Sequence, residues 1–212
     1  KDLHSLKKKI SLFSNKYKGK LEKLKKQQLV KTLVEFEKIE EIILKLRSYA
    51  YLEYCTDQLN NDKAKFYQKI EESVLDCEKD IIFYGIELNK LNDAKTSVFS
   101  ETKYKNWVKN HKKFKKFQKP ENIEKILAEK SLTSSSAWVR FFDQLMTRLK
   151  FRINGKVFSE TEVLNLLSSH NEVERKNAAE VFGKTLKDNI FNFSFIINTI
   201  SKDLDIEKNV RG

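Results

Sequence analysis

Apolar residues recur at three- and four-residue steps along most of the chain, which is the spacing of one face of an α-helix. A first helix is predicted to end at a turn containing Gly19, a second to span about residues 24–55, and a third to follow the capping side chains of residues 60–62. The inward-facing positions predicted for these helices are Leu3, Leu6, Ile10 and Phe13, then Leu29, Leu33, Phe36, Ile43 and Leu46, and then Tyr67, Ile70, Val74, Ile81, Tyr84 and Leu88. The first part of the chain is therefore predicted to form long antiparallel helices.

The pattern changes near residues 149–158, where apolar and polar residues alternate on both sides of Asn154-Gly155. Alternation around Asn-Gly is a strong signal for a two-residue β-hairpin turn. Because a two-stranded ribbon is marginal by itself, the hairpin is expected to lie on the helices. The predicted fold class is nearly all-α, with long antiparallel helices and one short β-hairpin near residues 149–158.

Further helices are predicted on both sides of this hairpin. The apolar positions that indicate the two before it are Tyr104, Trp107, His111 and Phe114, and then Trp138, Phe141, Phe142 and Leu145. Pro120 suits the first turn of a helix between them. After the hairpin, Ser159 with Glu162 and Ser169 with Glu172 each fit a capping box, so two helices are predicted to begin there.

The helix predicted across residues 177–199 changes character at Ile190. Its apolar stripe is Ala178, Phe182 and Leu186, continuing as Ile190, Phe193, Ile197 and Ile200. The opposite line is charged at Glu180, Lys184 and Lys187 but then holds Phe191 and Phe195. A helix that is apolar nearly all round needs cover on two sides. Gly183, which costs about 1 kcal/mol relative to Ala in a helix, either admits a neighbouring backbone or is simply tolerated.

Composition supports a folded helical chain and narrows the interpretation of its charge. The 212 residues include one Pro and 5 Gly, a scarcity that long helices tolerate better than a many-turned sheet. The net charge of +12 would suit a nucleic-acid surface, but 36 of the 42 basic residues are Lys, whereas Arg grips phosphates and base edges bidentately. Compositional drift toward Lys explains the charge at least as well. Two domains are expected, residues 1–130 with the long helices and residues 131–212 with a helix, the hairpin and the last helices.

Candidate catalytic and metal-binding residues are few. A zinc peptidase site needs two His one helical turn apart beside a Glu, but His4, His111 and His170 each stand alone. We therefore expect no catalytic and no metal-binding residue in this segment, and surface or packing roles for the histidines. The carboxylate pairs at residues 40–41 and 71–72 lie among lysines on charged helix faces, where solvation explains them.

The two cysteines, Cys55 and Cys77, lie on opposite sides of the predicted turn at residues 60–61. In antiparallel helices they would be offset by about 16 Å along the axis, well beyond the roughly 7 Å between Cα atoms that a disulfide allows. Free thiols in a reducing compartment are therefore expected. No signal peptide is visible, and the longest apolar runs are far shorter than the ~20 residues that cross a bilayer. We predict a cytoplasmic protein.

Residues 109–119 are the best candidate binding segment, because Phe114 and Phe117 interleave with lysines as base stacking and phosphate contacts require. The competing interpretation is an amphipathic helix whose Phe114 faces the core, and Trp107 on the same stripe favours it. The first interpretation corresponds to a non-enzymatic, lysine-rich helical module that binds nucleic acid. A scaffold subunit that uses the region after Ile190 as a partner interface is a further alternative.

A dispersed set of residues in the second half forms a recognisable pattern. It consists of Trp138, Phe142 and Asp143, the Asn154-Gly155 hairpin, Leu164 and Leu167, Arg175, Ala178-Ala179, Leu186, Asn189, Asn198-Thr199, Lys202-Asp203 and Arg211-Gly212. In these residues the chain resembles the oligoendopeptidase F branch of the thimet-oligopeptidase-like zinc metallopeptidases. Residues 47–72 and 124–138 look like N-terminal helices of the same family, so the resemblance spans almost the whole chain.

The resemblance implies an N-terminal helical region that helps to wall a deep channel, which admits short, unstructured peptides and excludes folded proteins. The family's zinc site, a HExxH helix with a further Glu, would lie downstream in a catalytic domain, so no catalytic, metal-binding or substrate-binding residue is carried over. Zinc is thus implied only for a full-length parent, and this segment by itself is expected to be inactive. The implied partners are short peptides and the missing C-terminal catalytic region, with no specific nucleic acid and no membrane. That missing region would also cover the apolar helix after Ile190.

Overall fold

The computed structural model describes residues 2–212, which form two compact units. The first unit comprises residues 2–130 with Arg211–Gly212, and the second comprises Ser131–Val210. The α-helices are α1 (Asp2–Tyr17), α2 (Lys26–Thr56), α3 (Asn61–Glu78), α4 (Ile82–Lys90), α5 (Asp93–Thr96), α6 (Lys105–Lys113), α7 (Glu121–Ser131), α8 (Ser135–Arg148), α9 (Glu160–Leu166), α10 (Glu172–Asp188) and α11 (Ile190–Arg211). Short 3₁₀-helices cover Leu21–Lys23, Ser97–Phe99 and Lys115–Phe117, and the strands are β1 (Phe151–Ile153) and β2 (Lys156–Phe158). The prediction of a nearly all-α fold with one hairpin is confirmed.

The core of the first unit lies between α1, α2 and α3, which contact one another pairwise. Its buried residues include Leu6, Ile10 and Phe13 of α1, Leu29, Leu33, Ile39 and Ile43 of α2, and Ile70 and Val74 of α3. These include most of the positions predicted to face inward. The turn after α1 uses Gly19 with φ +74°, a left-handed conformation that glycine adopts without steric cost. The carboxylate of Glu87 accepts hydrogen bonds from the backbone N–H groups of Gly19 (2.6 Å) and Leu21 (3.3 Å), which holds this turn against α4.

The predicted third helix is in fact two helices, because α3 ends at Glu78 and α4 begins at Ile82. The intervening turn is closed by the N–H of Ile81, which donates to the carbonyl of Glu78 at 2.9 Å. Ser14 of α1 donates its hydroxyl to the carbonyl of Asp80 at 2.7 Å, which satisfies a group freed by the break. Both helices bury their apolar residues in one core. The spacing of apolar residues therefore continues across the break and does not reveal it.

In the second unit, the hairpin is as predicted. Residues Phe151 and Phe158 pair across it, and the turn residues Asn154 and Gly155 have φ of +50° and +78°. Positive φ at both positions is what a type I′ turn requires. The buried ring of Phe151 stacks on Phe182 of α10 with centroids 5.4 Å apart, so the ribbon lies on a helix as expected.

One of the two predicted helix starts is correct. Ser159 and Glu162 form a capping box at the start of α9. The box predicted for Ser169 with Glu172 is wrong, because the side chain of Asn171 caps α10. The Ser169 hydroxyl instead accepts from the N–H of Asn171 (3.1 Å) and donates to a later carboxylate, that of Glu174. Asn caps helices as well as Ser does, and here the cap is the residue directly before the first residue of α10.

The helix predicted across residues 177–199 is interrupted at Asn189. This residue leaves helical geometry (φ −105°, ψ +11°), and its side chain donates to the carbonyl of Thr185 at 2.9 Å. The first stripe is confirmed, since Ala178 is buried and the other two positions are half-buried. Beyond the break the stripe is only partly covered, because Phe193 is buried and Ile200 half-buried whereas Ile190 and Ile197 are exposed. The buried positions of α11, Phe193 and Ile196, nevertheless continue the three- and four-residue spacing of the half-buried positions 182, 186 and 189.

Candidate functional site

A row of aromatic rings on α8 and α11 is the most distinctive surface of the second unit. We call Trp138, Phe141, Phe191 and Phe195 the aromatic surface. The ring centroids of Trp138 lie 6.2 Å from Phe141 and 5.4 Å from Phe195, and Phe191 stacks beside Phe195 at 6.4 Å. The four rings therefore form one continuous chain of contacts across two helices, at distances typical of aromatic pairs.

Three rings of the aromatic surface are exposed although they contact one another. The exposed fraction is 77% for Phe191, 51% for Phe195 and 44% for Phe141. With about 200 Å² of surface for each aromatic side chain, these rings present on the order of 300 Å² of apolar surface. The largest patches on monomeric proteins are of this size and often serve as binding sites. The aromatic surface is therefore an interface candidate.

A second exposed line runs along α11. Ile190, Ile197 and Leu204 are spaced seven residues apart, which places them on one side of the helix, and all three are exposed. Phe191 and Phe195 lie on a different side, while Phe193 and Ile196 are buried. The helix thus has one buried apolar side and two exposed ones, which is more apolar surface than one neighbouring element covers.

The lysine-rich segment of the first unit is not the amphipathic helix with Phe114 in the core that the competing interpretation expected. Phe114 lies just beyond α6 and is 65% exposed, so the expectation that it faces the core is wrong. Val108 is the buried residue of α6. Lys112 is engaged by Asp93, with 2.9 Å between Nζ and Oδ1, and the ammonium of Lys116 lies over the ring of Phe117. Part of the basic character is therefore used within the unit.

An ion-pair cluster joins α2 to α3. The guanidinium of Arg47 bonds both carboxylate oxygens of Glu78 at 2.7 Å, and its Nε lies 3.3 Å from Glu71. Burial raises the pKa of Glu78 despite the opposing charge of Arg47. Burial, and then the charge of Glu78, raise the pKa of Glu40. The expectation that residues 40 and 71 are simply solvated is therefore wrong, whereas Glu41 pairs with Lys45 on the surface.

Spacing along each helix places these residues on one face of that helix but does not show that the two faces meet. Glu40 and Arg47 are seven residues apart on α2, and Glu71 and Glu78 are seven apart on α3, so each pair occupies one helix face. A bidentate pair between neighbouring helices fixes their relative position. The cluster is therefore structural in character.

The histidines and cysteines are dispersed. His111 packs flat on Trp107 with centroids 5.1 Å apart, and its Nε2 lies 3.1 Å from the carbonyl oxygen of Gly85. Because a carbonyl oxygen only accepts, Nε2 carries the proton in this contact. Cys55 is an exposed free thiol, and Cys77 is a buried one whose pKa is raised by burial.

No three metal-ligating side chains within residues 2–212 are grouped so that they could hold a metal ion. This part of the chain therefore does not fit the zinc site of a metallopeptidase. None of the helices in the same range is long and apolar enough to span a membrane.

Comparisons with known proteins identify a similar family and a similar fold. Residues 87–151 match the sequence model of a family described as Oligopeptidase F. The whole chain superposes on part of the crystal structure of oligoendopeptidase-F from Enterococcus faecium, with a TM-score of 0.82 and 18% sequence identity. The chain resembles the N-terminal region of oligoendopeptidase F. The resemblance inferred from the residues is confirmed.

The structural match covers different shares of the two chains. The match covers 100% of this chain but 44% of the Enterococcus faecium chain. More than half of that protein therefore has no counterpart within residues 1–212. At 18% identity the superposition establishes the fold. No curated protein sequence matches the chain, and neither finding supports the nucleic-acid alternative.

Proposed function

We propose that this chain is the N-terminal, channel-forming part of a zinc metallo-oligopeptidase that hydrolyses short peptides. The observation that carries the proposal is the match of residues 87–151 to the Oligopeptidase F family. The matched residues run from α4 to the first residue of β1, and so extend over elements of both units. The likeness of the whole fold to oligoendopeptidase-F supports the same conclusion.

In this proposal the two parts of the chain have different tasks. Residues 1–130 provide the long-helix region, and residues 131–212 lead toward a catalytic domain that follows in the parent. There a HExxH helix with a further Glu would hold the zinc ion, which would supply Lewis-acid chemistry for peptide hydrolysis. In the same proposal the 212-residue segment is inactive by itself, because the zinc-binding motif belongs to that catalytic domain.

The proposed partners follow from the same role. Short, unstructured peptides are the substrates, because a helical wall around a deep channel excludes folded proteins. The C-terminal catalytic region of the parent is the protein partner, with no specific nucleic acid and no membrane. Free thiols at Cys55 and Cys77 suit a reducing, cytoplasmic location.

The test begins with the open reading frame beyond Gly212. We expect it to encode HExxH and a downstream Glu, and the purified parent to contain about one zinc ion per chain in the arrangement known for such sites. The parent should cleave a short, internally quenched peptide and leave a folded protein intact. A reading frame that stops soon after Gly212, or a parent without zinc and peptidase activity, would overturn the proposal.

The 212-residue chain provides the internal control. It should neither bind zinc nor cleave the quenched peptide. It should also bind polyanions only weakly, whereas a nucleic-acid module with several phosphate contacts would lose affinity steeply with salt. Tight, salt-dependent binding of RNA or DNA by this chain would favour the alternative function instead.

A further inference from the structure

We infer that the aromatic surface of α8 and α11 is the docking surface for the C-terminal catalytic region of the same parent protein. The inference rests on the proposed function, because that function supplies the occupant. It names the residues of the N-terminal part that make the contact. The composition of the surface, the contacts among its rings and the charge of the chain support it.

The composition around the surface is that of an interface centre. Residues 189–200 contain no charged side chain, and neither do residues 131–139, which lead into α8 and form its first turn, although Arg140 precedes Phe141. Centres of protein interfaces are depleted in charge and enriched in aromatic residues, which is the pattern here. By contrast, α10 carries charged residues through most of its length. The change at Ile190 therefore separates a solvent-facing helix from one built to contact protein.

The rings are also preorganised for docking. Phe195 is held by Trp138 at 5.4 Å and by Phe191 at 6.4 Å. Beneath them, the buried Phe193 contacts Phe142 at 5.8 Å, which anchors α11 on α8. Side chains that already contact one another lose less rotamer freedom when a partner covers them. A partner surface gains the burial of these rings at a small ordering cost.

The length of the related structure identifies the occupant. The whole fold of this chain matches 44% of the oligoendopeptidase-F chain, so more than half of that chain must be placed against or beside this fold. A second copy of this chain is a poorer occupant, because each copy carries a net charge of +12 and like charges oppose association. The C-terminal region belongs to the same parent chain, so this objection does not apply to it.

Thiol labelling measures whether the surface is covered. The probe is Phe191→Cys in a Cys55→Ser background, which leaves the buried Cys77 as the remaining native thiol within residues 2–212. The matched control is Leu44→Cys on α2, because Leu44 is 60% exposed and lies in the first unit. Each variant is prepared both as the 212-residue chain and in the parent, and the rate of reaction with iodoacetamide is measured.

We expect the Phe191→Cys thiol to react readily in the 212-residue chain and about tenfold or more slowly in the parent, since burial protects a site until it opens. The Leu44→Cys thiol should react at the same rate in both. Equal rates for Phe191→Cys in the two proteins would overturn the inference. Protection already present in the 212-residue chain, with a dimer by analytical ultracentrifugation, would overturn it in favour of a second copy.

A double variant separates this inference from the proposed function. Phe191→Ser with Phe195→Ser should lower the Tm of the parent and its peptide hydrolysis, while leaving the Tm of the 212-residue chain nearly unchanged because both rings are exposed there. A parent that contains zinc, cleaves peptides and is indifferent to the double variant would retain the function and lose the docking surface. A parent without zinc or activity would lose both.

Discussion

Phe13 in the first unit and Phe195 in the second unit both belong to chains of aromatic contacts, but they differ in exposure. Phe13 lies 5.0 Å from Tyr17 and 5.3 Å from Tyr84 and is 3% exposed. Phe195 has similar ring contacts and is half-exposed. Contact between rings is therefore not what distinguishes a core from an interface. Removal of a ring from water stabilises the fold more than the ring contacts do, and it has occurred only around Phe13.

The difference follows from the elements available to each unit. In the first, α1, α2 and α3 contact one another, and the rings of α1 and α4 are enclosed together with Phe36. The core of the second consists of a few residues from α8, the hairpin, α9 and α10, with Phe193 from α11. A short α9 and a two-stranded ribbon cannot cover all sides of α11. The second unit therefore leaves aromatic side chains exposed, whereas the first encloses them.

The two tryptophans allow each unit to be followed separately. The chain contains 2 Trp, and Trp107 lies in the first unit while Trp138 lies in the second. Trp138→Phe leaves a fluorescence signal from the first unit, and Trp107→Phe leaves one from the second. Urea unfolding in these two backgrounds measures the free energy of unfolding of each unit and shows whether the units unfold together.

The largest expected difference comes from shortening the two phenylalanines. Phe13→Ala opens a cavity in a closed core and should lower the free energy of unfolding by about 3–5 kcal/mol. Phe195→Ala should cost less than about 1 kcal/mol, because half of the ring is already in water. Urea unfolding in the matching tryptophan background measures both. Similar losses for the two variants would break the comparison, since the second unit would then have a closed core of its own.

A buried hydroxyl gives the next largest effect. Thr32 donates its hydroxyl to the carbonyl of Leu29 at 2.7 Å, so Tyr84 is the donor in the 3.0 Å contact between Tyr84 and Thr32. Tyr84→Phe removes that donor and should cost about 1 kcal/mol. Tyr49→Phe at an exposed tyrosine is the control and should leave stability unchanged within about 0.5 kcal/mol.

The same tyrosine predicts a pH dependence. Burial raises the pKa of Tyr84 in the folded protein above its ordinary value near 10. The folded state then holds the phenol proton more tightly. The contribution of Tyr84 to the free energy of unfolding is therefore complete below about pH 10 and is lost as the pH rises further. Thermal melts between pH 9 and 11 should show a steeper decline for the native chain than for Tyr84→Phe. Parallel declines would show that Tyr84 is not enclosed.

Two helical glycines should respond differently to alanine. A Cβ at Gly183 of α10 would meet nothing within 4 Å, so no neighbouring backbone requires the glycine. Gly183→Ala should therefore stabilise the second unit by about 0.5–1 kcal/mol. A Cβ at Gly85 of α4 would lie 3.0 Å from Cε1 of His111. Gly85→Ala should gain less than Gly183→Ala or lose stability, because the ring must move off the Gly85 carbonyl. Equal gains in the free energy of unfolding, measured with urea, would show that the His111 ring does not resist a Cβ at residue 85.

The smallest effect concerns the carboxylate of Glu40. Burial raises the pKa of this group in the folded protein above the unfolded value near 4.5. The free-energy cost of keeping this carboxylate ionised in the folded protein is therefore absent at low pH and grows as the pH rises through the folded pKa. Glu40→Gln should raise the Tm at pH 7 by less than Gly183→Ala does, and the gain should shrink at pH 4. Glu41→Gln, at a surface pair with Lys45, should give no gain at pH 7.

Local signals predicted most of the fold. Helical spacing located α1, α2 and α8, and Asn154-Gly155 located the hairpin and its turn. Local signals failed where two of them competed or where none existed. Ser169 and Asn171 were both suitable caps, and the pattern of apolar residues could not show which would be used. Nothing in the spacing of apolar residues marked the break before Ile82, because both sides of it enter one core.

The candidate site was only partly visible in the residues. The accumulation of Phe191, Phe193 and Phe195 after Ile190 indicated a helix with too much apolar surface for one neighbour, and α11 has that property. Which rings would be exposed depended on the elements that lie against α11, which residue spacing alone does not specify. The ion pair of Arg47 with Glu78 likewise required the register of α2 against α3, which sequence spacing alone does not specify.

Helix periodicity and turn residues are properties of neighbouring residues, and for this protein they established a nearly all-α chain with one hairpin. The resemblance to oligoendopeptidase F came separately, from a dispersed set of residue identities. Burial is a property of residues distant in sequence. The enclosure of Phe13, the shift in the pKa of Glu40 and the exposure of Phe191 each depend on which helices lie alongside. Only the folded arrangement could show that one aromatic cluster is a completed core and the other an open surface, because the free energy of each ring depends on the water removed from it.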